Sequence, residues 1–255
     1  MTQGVLIFAF NNEETDYLAM AEWSAGNIRR HLNLPTSVVT NTEYTGTAFD
    51  HVIRADAESG GTRYFEDYNS TVTWHNAGRV DAYRLTPYDQ TIVLDADYVV
   101  ASNNLKRLLN ANQDFLCHRL AFDLAGQTDM RGLNNFGKYD DSMQMVRDNW
   151  QHYRDLYNID RATYRNDFAL SIALGIVSGH TMKVDEIPWA LASVMPNTQL
   201  MRWIDTDSYI ITYTDSDQKL KHMSFEGLDF HAMGKKHLGD IVETDRRTRL
   251  LDSSN

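Results

Sequence analysis

The residues best placed to do chemistry are two carboxylates inside an apolar run, TIVLDADYVV at 91–100. Residues i and i+2 of an extended chain project to the same side, so Asp95 and Asp97 can converge on one point where the strand opens. Two bare carboxylates in such a run are costly unless positive charge sits between them. A hard divalent cation supplies it. Mg²⁺ and Mn²⁺ take oxygen ligands and bridge protein carboxylates to phosphates, so the pair predicts a phosphate-bearing ligand. The plainer alternative is a solvated strand end with Ala96 turned inward, since Asp-x-Asp alone is a weak pattern. The chain carries two internal controls, Asp205-Thr-Asp207 and Asp215-Ser-Asp217. Both lie beside turn-forming residues without apolar flanks on each side, and both read as turn carboxylates.

Other segments must bring this pair to the mouth of a sheet. GVLIFAF at 4–10 is a continuous apolar run ending at Asn11-Asn12, which suits a strand buried on both faces that opens onto a loop. From Glu14 the spacing turns helical, with Tyr17, Met20, Ala21, Ala25, Ile28 and Leu32 as an apolar stripe and Pro35 as a stop. Ser37–Thr40 and Val52-Ile53 follow as short strands, so strand, helix and strand alternate as in doubly wound α/β chains. Residues 58–71 read as loop, Trp74–Leu85 as a helix ended by Pro87, and Ser102 as the N-cap of a helix through Leu109. Gln113–Leu120 reads as a strand, Ser142–Tyr157 and Arg161–Val177 as helices, and Tyr209–Tyr213 as a β-like run before the closing segment FHAMGKK at 230–236.

Composition narrows the classes further. At 255 residues and 42% hydrophobic the chain fills one sizeable α/β core, with no internal repeat and no linker. Lys plus Arg number 24 against 35 for Asp plus Glu, a net charge of −11, which argues against a chain built to neutralise a phosphate backbone. A local basic site remains compatible. The single cysteine, Cys117, makes no internal disulfide, and no apolar run reaches a membrane span or a secretory leader, so the expectation is a soluble cytoplasmic protein. No Gly-x-Gly-x-x-Gly, P-loop, Gly-x-Ser-x-Gly or cysteine cluster is present.

The segment AGRVDAYRLTPYDQTIVLDADYVV at 77–100 resembles the sugar-nucleotide-dependent glycosyltransferases of the GT-A fold, nearest to their glycogenin and galactosyltransferase-like branch. GVLIFAFNNEE, RNDFALSIAL at 165–174 and FHAMGKK, similar to a late His-x-x-Gly-x-x-Lys motif, agree with that family in order. The resemblance implies a Rossmann-like mixed sheet flanked by helices, a single domain over 1–255, with 1–112 as the nucleotide-binding half and 113–255 as the donor-sugar and acceptor half. It implies that Asp95, Asp97 and His231 hold Mn²⁺ or Mg²⁺ and that Gly234 lets the backbone approach the diphosphate. Lys235, Lys236 and His237 stay open as the diphosphate contact, because the motif's lysine position falls on His237. Arg79 would pair with phosphate, although a solvated helix arginine paired to Asp81 or Asp89 is the default for it and for Arg84. Ala9, Phe10, Asn11 and Thr40 would line the base and ribose. Asn166 and Asp167 would hold sugar hydroxyls or face the reacting carbon, or merely cap a helix.

The implied activity is hexosyl or pentosyl transfer from a nucleoside-diphosphate sugar, commonly a uridine one, to a hydroxyl acceptor with retention. Acceptors left open are a glycan, a protein, a small molecule or modified DNA, the last because the compact chain is similar to transferases encoded by tailed phages, which would place it in the host cytoplasm. Arg29-Arg30 and the cluster Arg246, Arg247 and Arg249 leave room for DNA. Two other readings compete. A sugar-phosphate nucleotidyltransferase would need a glycine-rich basic loop where Phe10-Asn11-Asn12-Glu13 stands, and a non-catalytic sugar or nucleotide module would have no need of both aspartates and His231.

Overall fold

The computed structural model describes residues 1–56, 62–65, 68–73, 75, 79, 81–118, 121–124, 140–146, 184–186, 191–194, 200–215 and 217–252. The first apolar run forms β1 (Gln3–Ala9), buried along all but its first residue. Helix α1 (Tyr17–Leu32) follows, its amide at Ala19 donating to the side chain of the N-cap Asp16. It begins three residues after Glu14, because the Asn12 and Asp16 side chains hold the intervening turn by accepting from main-chain amides. At the other end Asn33 sits in the left-handed region at φ 48° and its amide closes on the Ile28 and Arg29 carbonyls. Five of the six stripe residues expected from the sequence are buried; Tyr17 keeps some exposure.

Strands β2 (Thr36–Thr40) and β3 (His51–Arg54) come next, and each lies parallel to its neighbour, with Ala9 opposite Thr40 at the carboxyl ends of β1 and β2. A hairpin of β4 (Thr62–Phe65) and β5 (Ser70–Thr73) then packs its end onto the β1–α1 loop. Thr73 donates from its amide and hydroxyl to the Glu13 carboxylate at 3.0 and 2.6 Å, and Asn12 Nδ2 donates to the Thr73 carbonyl at 3.2 Å. The β-branched Thr71-Val72-Thr73 run continues this strand up to the point where the sequence predicts a helix, and the described α-helix there, α2, is only Ala82–Leu85. It ends at Thr86, held extended before Pro87.

Strand β6 (Gln90–Asp95) enters the main sheet beside β1, parallel to it, with Phe8 opposite Asp95. The chain turns at Ala96-Asp97 into β7 (Tyr98–Val99), and a 3-10 helix spans Asn104–Asn110. Its N-cap is Asn103 rather than the expected Ser102, whose hydroxyl instead accepts from the Asn104 amide. Strands β8 (Phe115–His118), β9 (Ala121–Asp123) and β10 (Asp140–Val146) follow. The helix expected from Ser142 is therefore a strand at its start: β10 pairs antiparallel with β6 on one side and β8 on the other, and this long-range pairing overrides a local period. The helix expected over Arg161–Val177 lies outside the described residues.

Strands β11 (Val184–Glu186), β12 (Leu191–Val194), β13 (Leu200–Asp205), β14 (Ile210–Thr214), β15 (Leu220–Ser224) and β16 (Phe230–Ala232) precede the last helix, α3 (Lys235–Asp252). The main sheet runs β11-β8-β10-β6-β1-β2-β3, a second runs β7-β16-β12-β9, and β13-β14-β15 form an antiparallel meander. The chain is thus a mixed α/β protein whose parallel centre carries α1 on one face, as its composition and periodicity predict. Three residues of the basic clusters form ion pairs within the chain: Arg30 with Asp207, Arg247 with Glu243 and Arg249 with Asp245. No helix among the described residues is long and apolar enough to cross a membrane.

Two predictions follow from these contacts. A Cβ at Gly4 would collide with the Tyr88 ring, whose hydroxyl is anchored 2.7 Å from Ser37 Oγ, so Gly4→Ala is expected to cost about 1–3 kcal/mol in urea unfolding. Truncating Tyr88 to alanine in the same chain should remove most of the additional penalty from the methyl group. The hydrogen bonds from Thr73 push the Glu13 carboxyl down to about 2. A lowered carboxyl contributes stability above its unfolded value of about 4.3 and loses it as pH falls toward the folded one. Hydrogen exchange at the Thr73 amide should therefore remain protected at pH 5 and lose protection as pH drops toward 2, whereas Glu13→Gln should be poorly protected at both.

Candidate functional site

Asp95 ends β6 at the carboxyl edge of the parallel strands, where the paired ladder stops and a side chain can leave the sheet. Asp97 lies two residues on, in the turn. Its carbonyl accepts from the Ala232 amide at 2.9 Å, and β16 pairs with β7 with His231 opposite Tyr98. These backbone bonds carry His231 across 134 residues of sequence to the two carboxylates. Asp229 fixes the same junction from the other side, accepting from the Ala101 and Ser102 amides at 2.8 Å each and from the Ser102 hydroxyl at 2.9 Å. Burial pushes that carboxyl up to about 6 against these three donors.

One oxygen of each carboxylate meets a cation of the chain. Arg79 Nη1 lies 2.5 Å from Asp95 Oδ1, and Lys235 Nζ lies 2.8 Å from Asp97 Oδ2. The second oxygens lie toward one imidazole, His231 Nε2 being 3.3 Å from Asp97 Oδ1 and 3.8 Å from Asp95 Oδ2. Asp97 is 2% exposed and His231 6%, yet neither ring nitrogen of His231 makes a hydrogen bond. A buried imidazole without hydrogen bonds, set against two carboxylate oxygens, is the donor set a divalent cation takes. Ligand atoms of Asp95, Asp97 and His231 all lie within 4.8 Å of one another, so the three residues fit an ion between them.

The electrostatics are strongly biased. Burial alone would raise the Asp97 carboxyl, but Lys235 first and His231 next override it and hold it well below the usual carboxylate range. Burial alone would lower the Lys235 ammonium, and Asp97 overrides that and holds it well above the ordinary lysine value. Tyr17, read from the sequence as a core residue, belongs to this neighbourhood: burial pushes its phenol up to about 12, and it feels the charges of Lys235, Asp97 and Asp95. Its place at the first turn of α1, directly after the cap of the β1–α1 loop, is the one signal in the sequence that could have marked it.

Asp95, Asp97, His231, Arg79 and Lys235 gather here. Of the three candidates for the basic position after His231, Lys235 is the one on a carboxylate of this trio, while Lys236 is exposed and His237 lies two residues further along α3. Arg79 pairs with Asp95, whereas Arg84 takes the ordinary helix role and pairs with Asp81 at 3.3 Å. Gly234 is buried between β16 and α3. Ala9, Phe10 and Thr40 are buried at the ends of β1 and β2. The Asn11 side chain is spent on local structure, accepting from the Leu18 amide and donating to Asp16. Asn166 and Asp167 lie outside the described residues. The two control pairs are turn carboxylates as expected: Asp205 accepts from the Asp207 and Ser208 amides, and Asp215 from those of Asp217 and Lys219.

No family model matches the sequence, and no curated protein sequence matches it. Solved structures do. The glycosyltransferase GlyE of Streptococcus pneumoniae TIGR4 is 10% identical at a TM-score of 0.45, over 74% of this chain and 46% of GlyE, so the chain spans less than half of that protein. The galactosyltransferase LgtC, in complex with donor and acceptor sugar analogs, is 13% identical at a TM-score of 0.47, over 72% of this chain and 73% of LgtC. A chain assigned as a glucose-1-phosphate thymidylyltransferase from Bacillus anthracis is 8% identical at 0.45, over 74% of this chain and 88% of its own. Identities this low leave the activity to be argued from the residues of this chain.

The Asp97–Lys235 pair generates a stability prediction. Asp97→Asn leaves a desolvated ammonium without its counter-charge and should cost about 2–3 kcal/mol in urea unfolding at neutral pH. Adding Lys235→Met to that variant should recover part of the loss, and a double-mutant cycle reads the coupling directly. Additive losses would mean that the pair is not coupled.

Proposed function

We propose that this chain is a metal-dependent glycosyltransferase of the GT-A type, close to its glycogenin and galactosyltransferase-like branch. It would move a hexosyl or pentosyl group from a nucleoside-diphosphate sugar, a uridine one by preference, to a hydroxyl acceptor. The observation that carries this reading is the trio of half-buried Asp95 and buried Asp97 and His231 at the carboxyl end of a parallel strand, flanked by Arg79 and Lys235. Mn²⁺ or Mg²⁺ held by those three residues would supply Lewis-acid stabilisation of a leaving diphosphate.

The residues of the chain supply the rest. As the bond from the anomeric carbon to the phosphate oxygen breaks, its electron pair passes to the diphosphate, and fixed cations nearby lower the energy of that charge. Arg79 and Lys235 are the cations in place for it. In a protein of net charge −11, the positive charge that the ion would add to this charge-balanced site gives an anionic donor a local reason to approach. Gly234, between His231 and Lys235, lets the backbone come close to the diphosphate. Ala9, Phe10, Asn11 and Thr40, at the ends of β1 and β2, line the base and ribose. Asn166 and Asp167 hold sugar hydroxyls or face the reacting carbon. The late histidine ligand favours retention of anomeric configuration, by analogy with the family that the sequence resembles. The acceptor is a glycan, a protein, a small molecule or a modified DNA base.

Calorimetric titration with uridine, guanosine, adenosine, cytidine and thymidine diphosphates tests this. One nucleotide should bind wild type with Mn²⁺ present, and binding should vanish with chelator or in Asp97→Asn. Silence of every nucleotide in the presence of Mn²⁺ would contradict the transferase reading.

A further inference from the structure

The site is charge-balanced by the chain itself. Asp95 and Asp97 bring two negative charges, and Arg79 and Lys235, at 2.5 and 2.8 Å from them, bring two positive ones. The cations differ in kind. Arg79 is a planar fork whose side chain is 10% exposed, whereas Lys235 carries a point charge on a flexible stem, with 26% of its side chain exposed, at the first residue of α3. Asp97 therefore holds a cation that can leave. The imidazole beside it, buried and without a hydrogen bond on either nitrogen, marks where another cation would enter.

We propose that Lys235 is a resident counter-cation that competes with the divalent ion for Asp97, so that metal and diphosphate bind this chain cooperatively. The inference rests on reading Asp95, Asp97 and His231 as a metal site. With Lys235 on Asp97, a divalent ion alone raises a desolvated, neutral cluster to two uncompensated positive charges, and its affinity is low. A diphosphate reverses this. Its oxygens give Lys235 a new anionic partner, Asp97 is released toward the ion, and the negative charge of the ligand balances the excess. Coupling of this kind is reciprocal, so the ion raises affinity for diphosphate by the factor by which diphosphate raises affinity for the ion. Lys235 is thus a positioning residue: in the empty site it keeps the Asp97 carboxylate compensated, and in the loaded one it faces the ligand.

The test is binding of Mn²⁺ alone, without nucleotide, followed by the paramagnetic signal of the unbound ion. Lys235→Met, which removes the competing charge, should bind Mn²⁺ at least about 10-fold more tightly than wild type, and Lys235→Arg should return the affinity to near the wild-type value. Equal or weaker binding by Lys235→Met would overturn the competition while leaving the metal site standing. Absence of binding by both wild type and Lys235→Met would overturn the metal site and the proposal together. Wild type offers a measurement that needs no variant. Acylation of Lys235 by an N-hydroxysuccinimide ester, mapped by mass spectrometry against exposed Lys219, should rise several-fold once Mn²⁺ is bound, and unchanged labelling with the ion bound would overturn the proposal.

Discussion

A carboxylate that is 2% exposed stays ionised only when a cation stands beside it, and Asp97 keeps its charge because Lys235 does, with His231 set against its other oxygen. That compensation draws on three separate parts of the chain. Asp97 comes from the turn after β6, His231 from β16, and Lys235 from the start of α3. Neither the Asp97 carboxylate nor the Lys235 ammonium would be tolerable alone in that place. The fold around the site amounts to the set of backbone bonds that holds these groups within a few ångströms of each other.

Those bonds join distant parts of the sequence and can be traced. The parallel pairing of β1 with β6 aims Asp95 out of the sheet, and the bond from the Ala232 amide to the Asp97 carbonyl sets β16 against the turn. Asp229 then fastens the start of β16 to the segment after β7 through two amides and a hydroxyl. Only Phe230 separates Asp229 from His231, so a carboxylate used for structure and an imidazole used at the site are positioned by one short strand.

Sequence alone carries the parts of this arrangement that are encoded locally. The apolar run of β1, the stripe of α1 and the Asp-x-Asp at the end of an apolar strand are legible because burial and periodicity act over a few residues. His231 is legible only through the resemblance of FHAMGKK to a late motif, since no local property separates a ligand histidine from any other. The same motif points to His237 for the basic position, whereas Lys235, at the first residue of α3, is the one on the carboxylate. Ser142–Val146 shows the opposite failure. Its period suits a helix, but the gap between β6 and β8 takes a strand, and that gap exists only in the folded chain. Tyr17 and Asp229 were missed for a related reason: what makes each unusual is desolvation next to charges or donors far away in sequence.

The central claim is that Asp95, Asp97 and His231 hold one divalent ion. Crystals grown with Mn²⁺ and the nucleoside diphosphate that binds would decide it by anomalous diffraction at the manganese edge. The account predicts a single peak at about 2–2.3 Å from Asp95 Oδ2, Asp97 Oδ1 and His231 Nε2, with Lys235 turned from Asp97 to the phosphates. Bound diphosphate with no ion among these three residues, or an ion held elsewhere, would contradict it.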